Sequence, residues 1–198
     1  RRYARMLADI ESSIEAYMVN ARFVSYPTAQ TYAQNSFGRG ANLMIATGEA
    51  SSSDEVQHFR NACGYLVIKL YGDTAVKSIK LSSVSGVDKI AGNATIVTDE
   101  NDIPMATLSD AASTYVTLDC SNGGKGVQLS SDPANPTEFW FALPPVNFKN
   151  GIRIVVTDMN DRLFTMQTTK AVNITRNNVV LPAPLFPTRP IISPPCTA

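Results

Sequence analysis

The sequence predicts a mainly β protein, an antiparallel β-sandwich preceded by one N-terminal α-helix. From Val56 onward, short segments of alternating apolar and polar residues are separated by turn-forming residues, a pattern typical of half-buried strands. Such strands indicate antiparallel sheets with one face in a core and the other in water. No helical pattern lies between these segments, which argues against a parallel α/β sheet.

Residues 1–22 predict the helix. Their apolar positions recur at steps of three and four with no Gly or Pro between them, which places them on one helix face; these positions are Tyr3, Leu7, Ile10, Ile14, Tyr17 and Ala21. We expect this helix to pack on the main domain. A coiled coil or a membrane-surface helix is the alternative, although the polar face is not rich in lysine.

The rest of the chain divides into three predicted segments. Residues 23–55 have no clear period and are interrupted by Pro and Gly, as in an extended linker. Residues 56–186 form the predicted β-sandwich domain. Residues 187–198 form a Pro-rich tail, and residues 181–198 together hold six of the twelve prolines. Because proline lacks a backbone donor and favours extended conformations, we expect this end to lie along the surface or beside another subunit.

The stretch FRNACGYLVIKLYGD, residues 59–73, changes phase within one segment. Phe59 and Cys63 lie at odd positions, whereas the apolar residues after Gly64 lie at even ones, namely Leu66, Ile68 and Leu70. A shift of one residue turns every side chain of a strand to the other face. We predict a β-bulge at Gly64 that lets both sets face the core. The alternative is a loop up to residue 63, with the strand starting at Tyr65.

Later segments keep their apolar residues on one face. One holds Val116, Leu118 and Cys120, and another holds Phe139, Phe141 and Leu143. Trp140 is out of phase with its apolar neighbours, so we expect it on the outer face of its strand. There it is covered by a loop or by the N-terminal helix; the alternative is an exposed aromatic side chain that contacts a partner or a glycan. Asn150–Gly151 is the strongest hairpin-type turn signal.

Composition excludes several classes of function. Lys plus Arg and Asp plus Glu number 17 each, so the formal net charge is zero, and nothing favours nucleic-acid binding. No apolar run reaches membrane-spanning length. His58 is the only histidine, and no nucleophile–base pair can be assembled around it. Residues 98–104 and 158–161 collect carboxylates and amides, but turns favour these residues, with calcium binding as the alternative. We therefore predict no enzyme, no metal and no cofactor.

The cysteines are the remaining reactive groups. Cys63, Cys120 and Cys196 are too widely spaced for a metal cluster. Cys63 and Cys120 each begin or end an apolar strand face, so we expect both in one core and close in space, as two buried thiols or as a disulfide. Cys196 lies in the predicted tail and should react freely.

Five stretches of the chain resemble the fimbrillin-like proteins of Bacteroidetes, the Mfa-like or FimA-like pilins. They are FRNACGYLVIKLYGD, SIKLSSVSGVDKIAGNATI, YVTLDCSNGGKGVQL, FWFALPPVNFKNGIRIVVTD and TTKAVNITRNNVVLPAP, and they span roughly residues 25–186. The most specific parts are Cys63–Gly64 before an apolar strand, LPPV after an aromatic strand and the closing segment that ends in LP.

This resemblance implies a transthyretin-like sandwich and export as a lipoprotein precursor to the surface, outer membrane or fimbrium of a Gram-negative bacterium. It also implies assembly with other fimbrial subunits, self or accessory, by strand complementation. Members of the family open with β-strands, so residues 23–55 can also be interpreted as an abbreviated first sandwich region. Asp73–Thr74–Ala75 is similar to the short O-glycosylation signal of such exported proteins, which makes Thr74 a candidate modification site.

Two functions are therefore predicted from the sequence. The first is a non-enzymatic fimbrial subunit or adhesin that acts by assembly, attachment or both, through an edge that accepts a strand. The alternative is a secreted or surface module that binds a host or bacterial glycan or protein without polymerising.

Overall fold

The computed structural model describes residues 22–47, 58–182 and 186–187. These residues form β-strands, one 3-10 helix at Asn122–Gly124 and no α-helix. The prediction of a mainly β protein is confirmed. The predicted N-terminal helix lies outside the described residues except for Arg22, which begins the first strand.

Eighteen strands, most of them short, follow one another along the described chain. They are β1 Arg22–Tyr26, β2 Ala29–Ala33, β3 Ser36–Phe37, β4 Met44–Thr47, β5 His58–Asn61, β6 Gly64–Leu70, β7 Ala75–Ser83, β8 Gly92–Thr98, β9 Pro104–Leu108, β10 Tyr115–Asp119, β11 Val127–Gln128, β12 Thr137–Leu143, β13 Val146–Phe148, β14 Ile152–Asp158, β15 Leu163–Gln167, β16 Val172–Ile174, β17 Val179–Val180 and β18 Phe186–Pro187.

A large sheet of eight strands has the order β18-β15-β14-β7-β10-β2-β3, with β11 also paired to β7. Its pairs are antiparallel except β10 with β2. The central sheet has the order β12-β6-β17, with β17 parallel to β6. An outer sheet, β1-β8-β9, and two strand pairs, β13-β16 and β4-β5, complete the fold.

The main core lies between the large sheet and the central sheet. Alternate residues of β6 and β12 face alternate residues of β7, β10 and β14 in one buried cluster. This cluster includes every residue of the three apolar sets predicted for these strands: Leu66, Ile68 and Leu70; Val116, Leu118 and Cys120; Phe139, Phe141 and Leu143. The period-two pattern located these residues correctly because the side chains that face the main core alternate along each of these strands.

A second core lies on the opposite face of the central sheet. There the outer sheet packs against β4, against residues preceding β6 and against β12, with Tyr26, Cys63 and Ala142 buried at its centre. The central sheet therefore has a core on each side. Strands of the predicted segment 23–55 pair with strands from much later in the chain, as β1 does with β8 and β2 with β10.

The predicted β-bulge at Gly64 is wrong. The pairing of β6 with β12 runs without a shift from Leu70 with Thr137 to Gly64 with Leu143. The phase changes because β5 and β6 are separate strands in different sheets, with β5 paired to β4. Phe59 on β5 is 64% exposed, so it does not face a core as predicted. The alternative, a loop up to residue 63, does not hold either.

The turn at Asn150–Gly151 forms, but it does not close a hairpin. Gly151 has φ of +82°, a conformation that glycine adopts at little cost. The strands on either side join different sheets, because β13 pairs with β16 whereas β14 pairs with β7 and β15. The turn therefore passes the chain from one layer to the other.

Near the end of the described chain, the short strand β18 joins the large sheet. Phe186 and Pro187 form β18 and pair with Gln167 and Met166 at the edge of β15. Pro187, the first residue of the predicted tail, thus belongs to a strand. Residues 188–198, including Cys196, lie outside the described residues.

Candidate functional site

The free side of β12 is covered at Ala142 by a side chain in place of a strand. The carboxamide of Gln30, itself buried, donates from Nε2 to the Ala142 carbonyl at 2.6 Å and accepts the Ala142 N–H at 3.1 Å. Both backbone groups of Ala142 therefore point away from β6. Strands β2 and β3 flank this edge, with Tyr32 5.5 Å from Phe139 between ring centres. Gln30 thus supplies the donor and acceptor that a neighbouring strand would provide.

Two further edges are covered in part by other means. On β5, the Asn61 carbonyl accepts a hydrogen bond of 3.3 Å from the Arg176 guanidinium. On β15, the last two residues pair with β18. Such covering is the usual way in which proteins prevent unwanted strand pairing.

Strand β9 presents an edge without such a cover. Hydrogen bonds from Ser109 N to the Asn93 carbonyl and from Asp99 N to the Ile103 carbonyl fix which residues of the β8–β9 ladder bond each other. In an antiparallel ladder the bonded pairs alternate, so the N–H and C=O groups of Ala106 and Leu108 point away from β8. No hydrogen bond to these groups is formed within the described residues. We call these groups the β9 edge.

The side chains around the β9 edge would suit an added strand. Ala106 and Leu108 are only partly buried, and they pack against the second core. Met105, on the opposite face of β9, is 50% exposed. The backbone nitrogen of Pro104, two residues before Ala106, also points away from β8. Its missing N–H therefore removes no hydrogen bond between β8 and β9. An added strand would therefore extend the second core, and the N–H groups of β9 that it can bond would end before Pro104.

Trp140 lies on the face of β12 opposite the main core, out of phase with Phe139 and Phe141 as predicted, and is partly buried. Its ring is 6.4 Å from that of Tyr65, which stacks on Phe37 at 5.0 Å. Trp140 Nε1 donates to Glu138 Oε2 at 3.1 Å. Lys69 Nζ lies 2.9 Å from Glu138 Oε1 and, with Trp140, holds the pKa of this carboxyl below its ordinary value. The polar groups around the Trp140 ring are thus paired with one another.

Cys63 and Cys120 are both buried free thiols, but they lie in different cores. Burial raises the pKa of Cys63 to about 11, partly offset by the Leu43 N–H that donates to its Sγ. Burial, together with the nearby Asp119 charge, raises the pKa of Cys120 to about 12. The prediction of one shared core is wrong because the central sheet separates the two positions. We therefore expect both thiols to be protonated at neutral pH and slow to react.

Gly64 is constrained by a neighbouring chain segment. A Cβ atom at this position would overlap the Thr175 carbonyl oxygen and would lie 2.7 Å from Ile174 Cγ2. The backbones are locked together here, since Tyr65 N donates to the Asn178 carbonyl and Asn177 N to the Cys63 carbonyl, both at 2.9 Å. Gly64 is therefore needed for close packing and not for a bulge.

Thr74 lies beside a buried carboxylate. Its hydroxyl donates to Asp158 Oδ2 at 3.2 Å. Burial by itself would raise the pKa of Asp158, but the N–H groups and guanidinium of Arg162 and the N–H of Asn160 outweigh it, so the pKa is lowered. A glycan on the Thr74 oxygen would remove one donor from this carboxylate. The predicted O-glycosylation of Thr74 stays a prediction.

The two acidic loops share one turn geometry. In each loop the first Asp accepts two backbone N–H groups at 2.9 Å with a single carboxylate oxygen. The donors lie two and four residues ahead: Asn101 and Ile103 for Asp99, Asn160 and Arg162 for Asp158. The residue three positions after the first Asp of each loop, Asp102 or Asp161, has φ of +59°. These carboxylates build turns, and the described residues hold no group of three or more potential metal ligands.

Comparison of the chain with protein families, with curated proteins and with solved structures finds no match. Among the described residues, no helix is both long and apolar enough to cross a membrane.

Sequence reasoning missed Gln30 and the β9 edge. Gln30 lies in a segment without a clear period, and nothing local shows that its partner is more than a hundred residues away. Pro104 could have indicated an edge strand, because proline within sheets is found mainly at edges.

Proposed function

We propose that this chain is a non-enzymatic subunit of a surface fimbria or adhesin, with the transthyretin-like, fimbrillin-like sandwich that its sequence resembles, and that it assembles by strand addition. The single observation that carries the proposal is the β9 edge, whose backbone groups have no partner within the described residues. Strand addition to such an edge joins backbone hydrogen bonds to side-chain packing and gives a specific contact.

The contrast between edges supports this choice. Gln30, Arg176 and β18 each cover part of an edge elsewhere in the protein. An uncovered edge beside a partly exposed core is a liability for a monomer, so its presence favours a partner strand. The added strand would bond to Ala106 and Leu108 and would place alternate side chains over the second core.

The partner is a second copy or an accessory subunit of the same assembly, and the Pro-rich residues 188–198 of a neighbouring copy are the proposed donor. In this proposal the protein is exported to the surface of a Gram-negative bacterium. The resemblance of its motifs to fimbrillin-like pilins supports both statements.

Ala106→Pro tests the β9 edge directly. This change removes one outward N–H and leaves the β8–β9 hydrogen bonds intact, as Pro104 already does in the same strand. Ala106→Ser is the matched control, because it keeps the N–H and changes the side chain little. Polymers seen by electron microscopy and sedimentation should form with the parent and with Ala106→Ser but not with Ala106→Pro.

Removing residues 188–198 should also abolish polymers while preserving β18 and the melting temperature. Polymers of Ala106→Pro equal to those of the parent would exclude β9 as the acceptor. A parent protein that never polymerises, alone or with accessory subunits, would overturn the assembly proposal.

A second candidate function rests on the aromatic cluster Phe37, Tyr65 and Trp140, which lies beside the second core on the face of the central sheet opposite the main core. Aromatic rings beside polar side chains suit a glycan or protein surface. A glycan-array or host-protein signal from a monomeric parent, lost in Trp140→Ala, would favour this non-polymerising module.

A further inference from the structure

The chain contains two Asn–Gly dipeptides in very different surroundings. Asn122–Gly123 lies in the 3-10 turn before β11, and Asn150–Gly151 lies in the turn before β14. Asparagine followed by glycine is chemically labile, because the backbone nitrogen of a residue without Cβ can reach the asparagine side chain. This reaction does not require any other protein or a cofactor.

We propose that Asn122 is a site of spontaneous deamidation in the folded protein and that Asn150 is protected. The Gly123 nitrogen attacks Cγ of Asn122 and loses its proton, a new N–C bond forms, and the side-chain amide leaves as ammonia. Water then opens the resulting succinimide to aspartate or isoaspartate. The products carry one more negative charge, and isoaspartate also lengthens the backbone by one methylene.

The attacking nitrogen at the first site is free. Asn122 and Gly123 are both exposed, and the Gly123 N–H forms no hydrogen bond within the described residues. The Asn122 side chain is held by one long contact, from Nδ2 to the Gly126 carbonyl at 3.3 Å. Local movement of this turn is therefore sufficient for the reaction.

The attacking nitrogen at the second site is occupied. Gly151 is buried, its N–H donates to the Phe148 carbonyl at 3.0 Å, and its own carbonyl accepts the Val84 N–H at 3.0 Å. The Thr168 carbonyl packs so closely on Gly151 that no Cβ would fit. Attack by this nitrogen requires the turn between β13 and β14 to open, which costs part of the stability of the sheets.

Peptide mapping by mass spectrometry, after incubation of the folded protein at mildly alkaline pH, tests the proposal. Asn122 should deamidate at least about tenfold faster than Asn150, the ratio that corresponds to opening one hydrogen bond of typical strength. In denaturant the two sites should react at similar rates, which shows that the fold and not the local sequence separates them.

Equal rates in the folded protein, faster reaction at Asn150, or no reaction at Asn122 would each overturn the proposal. Asn122→Gln, which reacts far more slowly because its side chain is longer, should remove the time-dependent charge change. Its persistence in that variant would place the reaction elsewhere.

Discussion

Replacing Gly64 by alanine should destabilise the protein without changing its fold. The added Cβ would overlap the Thr175 carbonyl oxygen and crowd Ile174 Cγ2. The carbonyl cannot rotate away, because the segment after β16 is tied to residues 63–65 by two hydrogen bonds of 2.9 Å. Either β6 or the facing segment must therefore move.

The size of the effect follows from two contributions. Overpacking a close contact costs about 1–3 kcal/mol, and losing one of the two hydrogen bonds costs about 1 kcal/mol. We expect a loss of about 2–4 kcal/mol, a large part of the stability of a typical domain. The register of β6 should persist, because a slip would expose Leu66, Ile68 and Leu70 together.

Urea unfolding measures this loss. Trp140, the single tryptophan, lies on β12 beside β6 and should report unfolding by fluorescence. The midpoint should fall by about 1–2 M urea for a slope typical of this size. Gly86→Ala is the control, since its Cβ would meet nothing within 4 Å and only the positive φ of +71° opposes it. A midpoint for Gly64→Ala at or above that of Gly86→Ala would refute the packing argument.

Three further predictions concern buried polar groups. Gln30→Leu leaves the Ala142 N–H and C=O unpaired and should cost about 2–4 kcal/mol by urea unfolding; an unchanged midpoint would mean that water replaces the carboxamide. Asp158 has a lowered pKa in the folded state, so its contribution to stability is present above its ordinary pKa and is lost as pH falls through the folded value. Asp158→Asn should accordingly lower the melting temperature at neutral pH, and the difference from the parent should narrow in acid; a constant difference would contradict the assignment. Cys63, with a pKa of about 11, should react with a thiol reagent at neutral pH only after unfolding, and rapid labelling of the native protein would show that its core opens.

The local sequence pattern was sufficient to predict which residues in the middle of the long strands face the main core. Along each strand of the main core, the side chains that face this core are apolar and recur with period two, so the sequence alone identifies them. The position of Trp140 on the opposite face of β12 followed from the same pattern. The turn at Asn150–Gly151 was also predictable, because the conformation it needs depends on those two residues.

The sequence could not show which strands share a sheet, because this depends on contacts between residues that are far apart in the chain. The phase change at Gly64 looks like a bulge in the sequence because a bulge and a change of sheet both shift the alternation by one residue. The segment before residue 56 shows no period because its strands are short and pair with partners such as β8 and β10. Cys63 and Cys120 carry the same local pattern, yet the central sheet lies between them.

The sequence by itself determined that the chain is mainly β and which residues of β6, β10 and β12 face the main core, since these depend on residue type and alternation. The tertiary structure decided where Gln30, Arg176 and β18 cover strand edges, and that the backbone groups of Ala106 and Leu108 on β9 have no partner within the described residues. Whether a backbone N–H has a partner depends on what folds back against it, and that partner can lie anywhere in the chain.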